Sequence, residues 1–79
     1  MRMIDADAKK AVRLAQLYVT EKEARSLRRM LDKLLIDPEA SEHEHLVSED
    51  MGAELSFSIV TSSKLKAGGY TKLERDLLG

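Results

Sequence analysis

Thr20-Glu21-Lys22-Glu23-Ala24-Arg25-Ser26-Leu27-Arg28-Arg29-Met30-Leu31-Asp32-Lys33-Leu34-Leu35-Ile36 opens on a capping box and continues as an amphipathic repeat. In such a box the threonine hydroxyl accepts the N–H of Glu23, while the Glu23 carboxylate accepts the N–H of Thr20. Ala24, Leu27, Leu31 and Leu34 follow at spacings of 3, 4 and 3, flanked by Met30 and Leu35. This is one face of a helix that starts near residue 21 and runs to Ile36. Asp37-Pro38 stops it, because the residue before a proline disfavours α geometry.

Upstream, residues 5–19 predict a first helix. Asp5 is placed to cap it, and Asp7 adds a carboxylate near the positive end of the dipole. Ala8, Ala11, Val12, Ala15, Tyr18 and Val19 recur at helical spacing, with Leu14 and Leu17 widening the stripe. The helical part is thus expected over 5–36, as two helices joined by a tight turn or, as the alternative, one bent helix.

Downstream the period changes to two. Leu55, Phe57 and Ile59 alternate with Ser56, Ser58 and Val60, predicting a strand over about 54–61. Residues 43–48 are its expected partner, in a hairpin over 43–61. Asp50-Met51-Gly52 reads as a three-residue loop with Gly52 left-handed. That loop sets Val47 opposite Leu55, His45 opposite Phe57 and His43 opposite Ile59. Residues 62–70 read as a basic connector. Thr71-Lys72-Leu73-Glu74 is a second capping box, opening a short helix over 72–78. The expected fold is therefore α+β, one small domain over 1–79 in the order α-α-β-β-α. Leu27, Leu31, Leu34, Phe57 and Ile59 are its expected core.

Composition bounds the function. At 79 residues the core is marginal, and without cysteine no disulfide or thiolate metal site can reinforce it. Aromatics at 4% are too few for a base-stacking platform, and a net charge of −1 lacks the basic excess of a duplex binder. The charge is nevertheless uneven. Residues 41–54 hold five acidic side chains and no Lys or Arg, between two mildly basic arms. Residues 1–7 have no apolar run of signal-peptide length, and no stretch reaches about 20 apolar residues. The expectation is a cytoplasmic chain without membrane contact.

Three constellations are candidates for chemistry. His43 and His45 share one face of a strand, where two imidazoles suit zinc, but no third ligand is evident. They are read as polar strand residues, with no metal and no cofactor expected. Gly68-Gly69 before the last helix offers backbone N–H groups near Lys64, Lys66 and Lys72, without a Walker or dinucleotide pattern. Lys22, Arg25, Arg29 and Lys33 fall within about 80° of each other on the second helix, opposite its leucines. Nothing provides a recognisable nucleophile, so no enzyme activity is expected.

The run Ala11-Val12-Arg13-Leu14-Ala15-Gln16-Leu17-Tyr18-Val19-Thr20-Glu21-Lys22-Glu23-Ala24, with Leu27, Leu31 and Leu34-Leu35, resembles the N-terminal helical hairpin of the small C subunit of tRNA-dependent amidotransferases. That resemblance implies a non-catalytic clamp between partner subunits. It covers under half of the chain and ends at residue 36, where the sequence departs from that family, and the family is not adopted. The expected function is that of a protein-binding module, an adaptor or an inhibitor of the kind phages and mobile elements encode. The alternative is a nucleic-acid-binding regulator. The candidate partner-binding residues are Lys22, Arg25, Arg29, Lys33, Lys64, Lys66 and Tyr70. A homodimer is also expected, joined through the hairpin edge or through spare apolar surface on residues 11–19.

Overall fold

Asp5 does cap a turn, but only one. In the computed structural model, which describes residues 1–79, its carboxylate accepts the N–H groups of Asp7 and Ala8, both at 3.0 Å. The Lys9 N–H bonds back to the Asp5 carbonyl at 2.8 Å. Lys9 then takes a left-handed conformation (φ 55°), which ends the turn and reverses the chain. The result is a small antiparallel hairpin of β1 (Met3–Asp5) and β2 (Lys10–Val12), pairing Met3 with Val12 and Asp5 with Lys10.

The chain then runs through α1 (Glu21–Ile36), β3 (His43–Val47), β4 (Glu54–Ser58), α2 (Ser62–Ala67) and α3 (Lys72–Leu78). The class is α+β, with two separate two-stranded antiparallel sheets. The order β-β-α-β-β-α-α replaces the expected α-α-β-β-α. Residues 13–20 carry no helix, so the first of the two expected helices is absent. With it goes the helical hairpin implied by the amidotransferase resemblance. Isolated helices of this length are marginal in water unless a tertiary surface covers their apolar stripe. No helix of the molecule is long and apolar enough to cross a membrane.

The helix α1 keeps its expected bounds. Both arms of its capping box form, from Glu23 N to Thr20 Oγ1 at 3.1 Å and from Thr20 N to Glu23 Oε1 at 2.8 Å. Its inner face is Glu23, Leu27, Met30 and Leu34, and it packs on β3. Leu34 is the best buried side chain at 3% exposure, with Leu46 of β3 next. Leu31 was expected in that core and is instead 42% exposed. It sits one stripe further round the helix, away from the hairpin.

The register of β3 and β4 differs from expectation by one residue. Leu46 faces Leu55, Glu44 faces Phe57, His45 faces Ser56 and His43 faces Ser58. A four-residue loop over 49–52 causes the shift. Ser48 N bonds to the Ala53 carbonyl at 2.9 Å, and Met51 N to the Ser48 carbonyl at 2.8 Å. The Ser48 hydroxyl donates to Asp50 Oδ1 at 2.6 Å and accepts the Ala53 N–H at 2.9 Å. Asp50 Oδ1 also accepts the Gly52 N–H at 2.9 Å. A period of two makes this slip exchange faces, so His43, His45 and Val47 turn outward. In β4, which ends at Ser58, Leu55 and Phe57 stay half-buried as expected.

Met51, not Gly52, is the left-handed residue of this loop (φ 60°). A side chain there is disfavoured by ~1–2 kcal/mol, partly offset by the greater freedom of glycine in the unfolded chain. Met51→Gly is therefore expected to raise stability by up to ~1 kcal/mol. Urea unfolding checks this; a lower midpoint would contradict the loop geometry.

The connector 62–70 contains a helix the sequence reading omits. Thr61 Oγ1 caps α2 by accepting Lys64 N at 3.2 Å, and left-handed Gly68 (φ 76°) ends it. Lys64 Nζ donates to the Ile59 carbonyl at 2.9 Å and to Ser41 Oγ at 3.1 Å, fastening α2 to both sides of the hairpin. The Thr71–Glu74 capping box opens α3 as expected. Arg2 Nε donates to the Leu77 carbonyl at 3.2 Å, bringing α3 to the N-terminal hairpin.

Candidate interaction surface

Four cations lie along one side of α1, yet most are engaged locally. Arg25 pairs with Glu21 one turn earlier. Arg29 donates to Ser26 Oγ at 3.2 Å. Lys33 Nζ lies 2.9 Å from Glu44 Oε1, an ion pair that clips α1 to β3. Lys22 alone of the four has no side-chain partner in the molecule. Lys64 is tied down inside the fold, while Lys66 is exposed on α2 and Tyr70 is half-buried ahead of α3. No hydrogen bond or ion pair joins these three to the α1 cations. The seven residues therefore fall into two groups, and several already have intramolecular work.

Glu23 has a role that sequence spacing does not reveal. Its Oε1 closes the capping box, and its Oε2 accepts the N–H of Glu49 at 2.7 Å. One carboxylate thus pins the start of α1 to the tip of the β3–β4 hairpin. The Thr20 N–H, then the Glu49 N–H, hold its carboxyl below the ordinary value. The Ser48 hydroxyl, then the Gly52 N–H, do the same for Asp50. Both carboxylates edge an open depression of about 470 Å³ with Tyr18, Thr20 and Ala53. The capping half of this arrangement is legible in the chain. The bond to Glu49, 26 residues away, is not.

Beside this depression lies a smaller, more apolar cavity of about 140 Å³. Leu17, Tyr18 and Val19 line it together with Leu46, Ala53 and Leu55. The segment 14–19 that supplies the first three has no strand partner. Leu14 and Tyr18 are each 84% exposed, and Leu17 and Val19 are also open to solvent. The same large apolar residues read as a helix stripe in the sequence, which hides them as a surface.

His43 and His45 stand on the outward face of β3, ring centroids 4.7 Å apart and edge to face. His45 Nδ1 is 3.4 Å from Glu54 Oε1. No group of three or more His, Asp or Glu side chains gathers around a common point suited to a metal ion.

Comparison with known proteins finds no matching family model, curated protein or solved structure. The functional reading accordingly rests on this chain's own residues.

Proposed function

We propose that this chain is a small non-catalytic protein-binding module, an adaptor or an inhibitor, that captures its partner on the extended segment 14–19. The observation that carries the reading is the apolar segment itself, open to solvent beside an apolar cavity. Contiguous apolar surface of this kind marks interaction sites in folded proteins. An extended segment with unpaired backbone groups can also accept a partner strand, with Leu17 and Tyr18 supplying specificity.

The total surface agrees. The chain exposes 6641 Å². A folded monomer of its 8.9 kDa mass exposes about 4,800 Å², so the excess is about 1,800 Å². A standard protein interface removes about 800 Å² from each partner. A cytoplasmic location belongs to the same proposal.

Affinity capture from the host, with wild type and Leu17→Ser/Tyr18→Ser compared side by side, tests this reading. Wild type is expected to retain a specific protein that the double variant loses. Retention by both would move the site elsewhere. The nucleic-acid alternative predicts instead steeply salt-dependent DNA or RNA binding, abolished by Arg25→Glu/Arg29→Glu.

A further inference from the structure

The helix α1 carries two largely apolar stripes, and the hairpin covers one. Glu23, Leu27, Met30 and Leu34 face the hairpin. Ala24, Leu31 and Leu35, with Arg28 at their edge, follow at spacings of 4, 3 and 4 when Arg28 is counted, all exposed. At ~100° per residue they fall within about 60° of each other, roughly 100° round from the inner face. This is the seam spacing of a helix that packs lengthwise against another helix. Leu35 is 60% exposed, and no element of this chain covers that side.

We propose that this stripe binds the same stripe of a second copy, antiparallel, around a two-fold axis between Arg28 and Leu31. Three observations select that occupant. In the antiparallel arrangement Leu35 meets Ala24 of the other copy, so a large side chain fills the space a small one leaves. Charge also matches. Arg28 and Asp32 lie on one flank of the stripe, and neither has a hydrogen-bond or ion-pair partner within the chain. Antiparallel pairing brings like flanks together, so each Arg28 lies beside Asp32 of the other copy, twice over by symmetry. Parallel pairing would bring no such match. Area is the third. The excess of about 1,800 Å² exceeds the ~800 Å² that one standard interface removes per partner, leaving segment 14–19 free for a different protein. The contact is separate from that segment, so each can fail without the other.

Sedimentation equilibrium of the full chain from about 1 to 100 μM tests the pairing, alongside far-UV circular dichroism as a control on folding. Wild type is expected to approach twice 8.9 kDa within this range. Leu35→Glu is expected to return it to 8.9 kDa with its helix signal intact. Arg28→Asp should weaken association about tenfold or more by placing like charges together. Arg28→Asp/Asp32→Arg should restore it, because the antiparallel pair re-forms with its signs exchanged. A monomer throughout the range overturns the proposal. So does a dimer indifferent to Leu35→Glu and to the charge variants, which would place the contact on the hairpin edge or on segment 14–19. A wild-type monomer whose captured partner is lost in Leu35→Glu would give the stripe to a different protein.

Discussion

Leu34→Ala is expected to leave the chain largely unfolded at 25 °C. Leu34 lies between α1 and β3 at 3% exposure, and only Leu46, at 8%, joins it as a buried apolar residue. Removing a leucine side chain from such a site typically costs ~2–5 kcal/mol, the transfer term plus the cavity left behind. A scaffold of this size seldom holds more than ~3–5 kcal/mol. The loss therefore matches the whole margin. Urea titration followed by circular dichroism should show a midpoint near zero denaturant. A midpoint close to wild type would mean that α1 does not rest on β3 through this residue.

The second large effect belongs to Glu23. Glu23→Ala removes the acceptor for two backbone N–H groups, Thr20 at the start of α1 and Glu49 at the hairpin tip. The melting temperature is expected to fall by several degrees, with the first turn of α1 fraying. Glu23→Gln retains one carbonyl acceptor and so should fall less. The carboxyl also makes stability depend on pH. Its folded value is lowered from 4.5, chiefly by the Thr20 N–H and then by the Glu49 N–H. A lowered acid stabilises the fold fully above its unfolded value and loses that contribution as pH falls through the folded one. Wild type should therefore lose melting temperature below pH 4.5 faster than Glu23→Gln, the two converging in strong acid. Asp50 shifts in the same direction, which is why the comparison with Glu23→Gln, not the wild-type curve alone, isolates the Glu23 part. Parallel curves for the two proteins would remove Glu23 from this role.

The two capping boxes show why parts of this molecule are legible in its chain. Thr20 with Glu23, and Thr71 with Glu74, satisfy each other's backbone within four residues, so α1 and α3 start where spacing places them. The inward alternation of Leu55 and Phe57 is likewise a property of one strand. The α2 helix had comparable local signals, a threonine before it and a glycine after it. They are outweighed in the sequence by two serines, two lysines and a glycine pair that also suit a loop.

Residues 8–19 and the hairpin register are a different matter. The apolar residues of 8–19 suit a helix, but a helix there needs a surface to lie on, and Lys9 reverses the chain before one is reached. The β3 sequence His-Glu-His-Leu-Val has apolar residues on both of its faces, so either register sets an aliphatic side chain opposite Leu55. The loop bonds of Ser48 and Asp50 choose between them.

The exposed apolar stripes have the same origin. Local spacing places Leu31 and Leu35 on one face of α1, and nothing in that spacing says which side of the helix meets the hairpin. Helix starts, stops and strand alternation depend on hydrogen bonds and sterics between near neighbours, and the order of residues is sufficient to state them. Which stripe is covered, which register closes, and which carboxylate reaches across 26 residues depend on contacts between distant segments. Those contacts exist only once the chain has folded back on itself, because the same local patterns are compatible with more than one way of bringing the segments together.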